Sequence, residues 1–450
     1  MPKSEGGLRA WFQRPYPVLG ILFGIYMCHA MDRHVVALLA EPIRADLRLS
    51  DTQLGLLTGL AFALFYTVFG VPVGWLADRV GRVLTIAVAC VTWSLFSMLG
   101  AFSANFIQLA GTRTGVAIGE SGGTAPAYSL IADKFAPDRR GQAYGIYHVG
   151  SSFGTFIGAA LAGWVAARYG WRAALVAVSL PGLLFAAALF LLVREPARRG
   201  SDGAAPAPHA DDADAASLAD EAPVVPQRAP PIWTSFRDFL SHPVLRLCFI
   251  FAGLTACLTH SLIAWLPAFL MRVKGMTLIQ ISEYYSITFS VFFGFGMWFG
   301  GFLAGRLATN SPKAFAYVPG IGLLVAIPFI FAAIYAPTWQ LSLILWMPAV
   351  LSAGTFLAPA VALVQAYAPR VQATVFGSIY LLANNLVGNG LGPLYVGAIS
   401  DAFKPAHGDQ ALSFGLLALI PVLLLAAAGQ FLMVRAIGRT PPDMRPASQV

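Results

Sequence analysis

Twelve apolar runs, each long enough to cross a bilayer as a helix, leave this chain little choice of architecture. They cover roughly residues 17–40, 52–77, 83–102, 106–131, 141–167, 173–193, 243–271, 279–305, 313–335, 339–367, 371–400 and 410–436. About 20 predominantly apolar residues suffice to cross the hydrocarbon core. The 450 residues are 57% hydrophobic and only 11% charged, whereas soluble domains carry about 25% charged residues. A soluble protein is excluded, and the chain reads as an all-α membrane protein with twelve transmembrane helices. An even number of spans puts both termini on one side. Of the 29 Lys and Arg residues, 20 fall on the side of the termini, 7 on the other side and 2 inside spans. The positive-inside rule therefore predicts cytoplasmic termini. That placement also accounts for the net charge of +8 without invoking nucleic acid.

The apolar segment after Lys3, Arg9 and Arg14 is too long for a signal-peptide core, so it reads as a retained first span. Residues 1–193 then form one six-helix bundle and residues 243–450 a second bundle with a cytoplasmic tail. Between them, residues 194–242 are rich in Ala, Pro and Asp and lack aromatic residues before Trp233. This composition predicts a mostly disordered cytoplasmic linker. Trp233–Leu240 has the pattern of a short amphipathic helix on the inner membrane surface. Cys28, Cys90, Cys248 and Cys257 all fall in apolar runs and read as packing residues.

The two bundles repeat each other. Ser50-Asp51-Thr52-Gln53 aligns with Thr277-Leu278-Ile279-Gln280, and at the same offset Gly74-Trp75-Leu76-Ala77-Asp78-Arg79 aligns with Gly301-Phe302-Leu303-Ala304-Gly305-Arg306. Ala125-Pro126-Ala127 answers Ala358-Pro359-Ala360, and residues 137–145 answer 369–377. Parallel half-repeats of this kind place a substrate site between the halves near the midplane. Span five carries Gly150, Gly154 and Gly158 on one face, and span eleven carries Gly388, Gly392, Pro393 and Gly397. Such faces allow close helix packing and rocking.

Spans one and four hold ionisable residues far from their ends: Asp32 and Arg33 in the first, Arg113 and Glu120 in the fourth. Each costs about 2.5 kcal/mol or more at a helix centre unless paired or wet. At 1.5 Å per residue, Asp32 lies about 6 Å and Arg113 about 8 Å to the far side of the midplane, with Glu120 near it. Two acids and two bases at similar depth predict one neutral network. An anionic substrate competing for Arg113 or Arg33 would strip an acid of its partner and favour its protonation. Asp32 and Glu120 are thus the proton-coupling candidates, and the alternative of a purely structural cluster is disfavoured because buried ion pairs stabilise poorly. The second half offers neutral polar residues instead: His260, aligned with Arg33 by the repeat, and Asn384, Asn385 and Asn389. Span five adds Tyr144, Tyr147 and His148. Two readings stay open for His260 and the Asn group, substrate contact or helix packing. With Arg33 and Arg113, these residues outline a pocket with a charged side and an apolar side.

Between spans two and three, the short charged turn Gly74-Trp75-Leu76-Ala77-Asp78-Arg79-Val80-Gly81-Arg82 resembles the signature loop of the major facilitator superfamily. The resemblance implies a fold of two six-helix pseudo-repeats and a cytoplasmic gate formed by Gly74, Asp78, Arg79 and Arg82. It also implies that the glycine faces of spans five and eleven line the interface between the halves. Asp78 is replaced by Gly305 in the second half, so that latch lacks its acid.

His29-Ala30-Met31-Asp32-Arg33, Gly119-Glu120-Ser121, Tyr128-Ser129-Leu130-Ile131-Ala132-Asp133, Gly170-Trp171-Arg172 and Arg194-Glu195-Pro196 resemble the Spinster family, including its bacterial members. That likeness implies transport of lysophospholipids or sphingosine-1-phosphate-like amphipaths. It also implies functional roles for Asp32, Arg33, Arg113 and Glu120. Symporters of sugar acids share the first-helix Asp-Arg and a G-x-G-E element, which here reads Ala117-Ile118-Gly119-Glu120 without its first Gly. Polyspecific drug exporters usually show Gly-Pro in span five, where this chain has Gly154-Thr155. No phosphate-cradling Gly-Lys-Ser loop, metal-ligand spacing or Ser-His-Asp set is present. The expectation is a monomeric, cofactor-free transporter of the bacterial inner membrane, driven by protons rather than ATP, and not an enzyme.

Overall fold

The computed structural model describes residues 11–195, 232–309, 311–369 and 372–439. The described residues contain helices and no strand. Span one is Pro15–Leu38. Span two runs through Asp51–Gly55, Leu56–Leu60 and Ala61–Val80, and span three is Arg82–Gly100. Span four is broken at Gly122 and Gly123 into Phe106–Ser121 and Thr124–Lys134. Pro137–Leu192 contains spans five and six, separated where Gly170 takes φ 82° and ψ 166°. Only glycine adopts that backbone readily. Span seven is Pro243–Arg272 and span nine Ala314–Tyr335. Span eight joins Leu278–Gln280, Ile281–Tyr285 and Ser286–Ala308, and span ten joins Trp339–Gly354 and Leu357–Tyr367. Span eleven comprises Ala373–Ala383, Asn384–Leu391 and Gly392–His407, and span twelve Ala411–Leu417 and Leu419–Arg439.

The repeat extends to detail. Ser50 and Gln53 form a reciprocal cap at the start of span two, and Thr277 and Gln280 form the same cap on span eight. A π-helical turn follows each cap, at Leu56–Leu60 and Ile281–Tyr285.

Two sequence expectations change. The charged stretch between spans two and three is mostly helix, because Ala61–Val80 continues almost to span three and Gly81 alone, at φ 107°, makes the turn. The glycine face of span five packs inside its own half. A Cβ on Gly150 would lie 2.8 Å from the Phe23 carbonyl oxygen, and one on Gly154 would lie 2.1 Å from that of Met27. A Cβ on Gly158 would press on Met31. Gly388 and Gly392 likewise face Ala256 and Cys257 of span seven, while Gly397 reaches across to Asp51.

The hydrophobic cores report how the halves meet. One core joins both halves at the end away from the termini, with Leu39, Ile43, Leu57 and Trp171 packed in the same cluster as Trp265, Phe269, Trp346 and Leu416. Toward the termini the cores separate. One gathers Leu22, Trp93, Leu130 and Tyr147, the other Val244, Leu363, Tyr380 and Met433. Polar bonds between the halves follow the same division. Arg272 donates to both oxygens of fully buried Asp51, at 2.7 and 2.9 Å, and also to Glu41. Asp401 accepts from the backbone N–H groups of Asp51 and Thr52, and Ser400 donates to Asp51. The halves are therefore closed at one end and parted at the end that carries the termini.

Outside the spans, Trp171 and Arg172 both donate to Asp46, which lies in the short helix Ala40–Leu47. Those donors hold the Asp46 carboxyl below the usual carboxylate range. The expected amphipathic helix is present as Ile232–Ser241. It buries Phe239 against Phe249 and Phe376 and leaves Trp233 exposed. Most of the linker, residues 196–231, lies outside the described residues.

Candidate functional site

Between the halves lies a cavity whose polar wall comes mainly from spans one and four. Arg33 and His34 enter from span one, Thr58 and Phe62 from span two, and Arg113 from span four. The second half contributes His260 and Asn389. Phe62, 2% exposed, holds the two guanidiniums. The Arg33 Cζ lies 4.8 Å from its ring centroid and the Arg113 Cζ 5.6 Å, with Tyr66 5.4 Å from Arg33. An aromatic face attracts a cation without neutralising it, so both charges remain available to an anion. Arg33 and His260, matched by the half-repeat, face the same space from opposite halves.

A second cavity adjoins the first and shares His34 and Ile263 with it. Its lining is mainly apolar: Met31, Val35, Leu38, Pro267, Tyr285, Phe289 and Phe293 are among its walls. Among the described residues, no carboxylate lines either cavity. A cationic compartment thus opens into an oily one.

The two buried acids stand behind this wall. The anticipated single ion-pair network of Asp32, Arg33, Arg113 and Glu120 is not formed, and none of these four pairs with another within 4 Å. Fully buried Asp32 instead accepts from Ser97 at 2.7 Å and Ser179 at 3.0 Å, both on Oδ1. Its Oδ2 meets no donor among the described residues. Arg113 donates to the backbone oxygen of Asp32 at 3.4 Å, and its Nε is unpartnered. Glu120, also fully buried, faces His29, with Oε2 and Nε2 3.1 Å apart. The physical reason is rotational: Asp32 is turned toward spans three and six, while Arg33, one residue on, is turned toward span two.

The remaining candidates spread more widely. Tyr147 is buried and stacks on Tyr26 with centroids 4.4 Å apart. Tyr144 donates to the Tyr128 carbonyl oxygen, and the Tyr128 hydroxyl lies 2.7 Å from His148 Nε2. These residues form an aromatic cluster on the terminal side of the first half. Asn384 is buried with an unpartnered Oδ1, and Asn385 donates back to Leu381 of its own helix. Neither lines the two cavities described here, whereas Asn389, one turn on, lines the cationic one. At the gate stretch, Arg82 binds Asp133, Ser129 and Glu195, drawing together three of the motifs singled out in the sequence. Arg79 is exposed, and the Asp78 side chain and the surroundings of Gly74 lie outside those described. Among the described residues no cluster of metal-ligating side chains is found.

Phe62, His34, Ser97 and Ser179 escape sequence reasoning. A Phe, a Ser or a flanking His in a span has no distinguishing mark, although the repeat does pair Thr58 of the cationic cavity with Tyr285 of the apolar one.

The Major Facilitator Superfamily profile matches residues 22–393. An MFS-type efflux pump of Mycolicibacterium smegmatis is 30% identical over 426 residues, 94% of this chain and 92% of the relative. A hexuronate transporter of Bacillus subtilis is 32% identical over 179 residues, 40% of this chain and 42% of that protein. In structure, the chain resembles a bacterial homologue of the human lysosomal transporter Spinster, in its inward-facing and unoccupied conformation. The TM-score is 0.83 at 30% identity, covering 95% of this chain and 99% of the other. Among the described residues, nine helical segments are long and apolar enough to cross a membrane, two of them holding two spans each. With span four, broken into helices of 16 and 11 residues, they make twelve. Profile, relatives and fold agree that this chain is a Spinster-like integral membrane transporter of the major facilitator superfamily, and not an enzyme.

Proposed function

We propose that the protein is a proton-coupled secondary transporter of an amphipathic anionic lipid, a lysophospholipid or a sphingosine-1-phosphate-like molecule, working by alternating access. The observation that carries this reading is the junction of the two cavities at His34 and Ile263. An anionic head suits Arg33 and Arg113, and an apolar tail suits the wall of Phe289, Phe293 and Pro267. Residues 1–193 and 243–450 are the two rocking bodies, joined by the 194–242 linker, in a monomer of the bacterial inner membrane. With cytoplasmic termini, as the charge distribution requires, the halves are parted toward the cytoplasm.

Coupling follows from the placement of Arg113, which touches both the cavity and the Asp32 backbone. A head that draws Arg113 into the cavity removes a positive charge from the neighbourhood of Asp32 and Glu120. Both acids then hold a proton more readily. Tyr144, Tyr147, His148, Asn384 and Asn385 border the route toward the open end.

The test is uptake of a lysophospholipid into proteoliposomes under imposed pH gradients. Wild type should respond to the gradient, Asp32→Asn should transport without responding to it, and Arg113→Ala should lose transport. Equal uptake by all three proteins would make the charges structural. A second reading, symport of small organic anions such as sugar acids, rests on the cationic cavity alone and on the hexuronate transporter among the relatives. It prevails if hexuronate is taken up and the lipid ignored. Drug export, suggested by the efflux-pump relative, requires neither substrate to move.

A further inference from the structure

The charges within the first half are not equivalently partnered, and the difference singles out His29. Asp32 has two serine donors on one oxygen. Among the described residues, Glu120 has no hydrogen-bond donor on either oxygen, although it is fully buried. The nearest basic group is the His29 imidazole, 6% exposed, with Nε2 3.1 Å from Glu120 Oε2 but out of line for a hydrogen bond. The ring is fixed in place. It stacks on Tyr26 at 5.4 Å and meets Trp93 edge-on at 5.8 Å. A small rotation of the carboxylate therefore suffices to make the bond.

We infer that His29 is the proton partner of Glu120, so that imidazole and carboxylate exchange one proton and titrate as a pair. This rests on the proton-coupled reading above. In the exchange, the Glu120 Oε2–H bond breaks as an Nε2–H bond forms on neutral His29, converting an acid and a base into an ion pair. The reverse transfer restores two neutral groups. Surrounding charges bear on the balance. Asp32, Arg33 and His34 lie on the same helix, and span four adds Arg113. Span five presents Tyr147 and His148 around Tyr26, and span two presents Tyr66. Span three contributes Cys90, Trp93, Ser94 and Ser97 to this face, and span six Ser179, none of them charged. His29 lies on the terminal side of Asp32 along span one and joins, through Tyr26, the aromatic cluster that ends in exposed His148.

The decisive measurement needs no substrate. Infrared spectra of the purified full-length protein are recorded across pH, and the protonated-carboxyl band absent from Glu120→Gln is assigned to Glu120. In His29→Asn and His29→Gln the midpoint of that band should move upward by about one pH unit or more, because the carboxylate has lost its cation. The imidazole signals of isotope-labelled His29 should shift reciprocally in Glu120→Gln, which serves should the His29 variants fail to fold. An unmoved Glu120 midpoint, or His29 signals indifferent to Glu120→Gln, would overturn the inference, leaving His29 as a packing residue between Tyr26 and Trp93. If the midpoint moves while lysophospholipid uptake by wild type ignores the pH gradient, the pair stands and the proton-coupled reading falls.

Discussion

At the scale of single residues, the site depends on what keeps two guanidiniums together without an acid between them. Like charges repel, and a buried Arg with no counter-charge is costly. Phe62 offers a negatively polarised face to both, and the cavity supplies room for an anion to complete the set. A cation over a ring is worth about 0.5–2 kcal/mol. Phe62→Leu should therefore raise the KM for the anionic substrate by about 2- to 30-fold, with kcat and Tm little changed, while Phe62→Tyr should behave as wild type. Uptake kinetics decide it, and an unchanged KM in Phe62→Leu removes Phe62 from the site. Sequence alone gave the depth of each charge along its helix, because depth needs only a count of residues. It did not give the rotation of each side chain about the helix axis. That angle sends Asp32 to Ser97 and Ser179 while Arg33 points at Phe62, and it is settled by packing.

Elements carry the next level of information. The half-repeat was readable at the outer caps because Ser50–Gln53 and Thr277–Gln280 must perform the same hydrogen bonding. Span boundaries were legible for a related reason: polar turns interrupt apolar runs. The role of the span-five glycines was not legible, since a small face fits a neighbour in its own half as well as one across the interface. Its contact with span one is among the tightest in the molecule. Gly154→Ala puts a methyl group 2.1 Å from a backbone oxygen that cannot step aside. Overpacking of this kind costs about 1–3 kcal/mol. A lowered Tm is expected for Gly154→Ala, measured beside Gly145→Ala, whose added methyl would meet nothing within 4 Å. Equal melting of the two variants would show that spans one and five can yield.

The whole molecule is held in its present form by the end away from the termini. There one apolar core and the Arg272 bonds to Asp51 and Glu41 join the halves. Removing one partner of a buried pair costs about 3–5 kcal/mol, because the other charge is left stranded. Arg272→Ala should therefore shift the population toward states open at that end. Spin labels at exposed Ala45 and Asp409 should report longer distances than in wild type. An unchanged distribution would mean that the apolar core alone closes this end. The cavity has one more property at this scale. Both of its guanidiniums belong to the first half, and the second half faces them with His260 and Asn389. In the proposed rocking of the halves, these positive charges travel with one body only, together with the Asp32 and Glu120 carboxyls. A charge displaced through the membrane field does electrical work, about 2.3 kcal/mol per elementary charge for the full field at 100 mV. On the proposed alternating access, the net charge carried through the field is set by how many protons Asp32 and Glu120 hold, so the resting potential acts differently on the loaded and unloaded proton states.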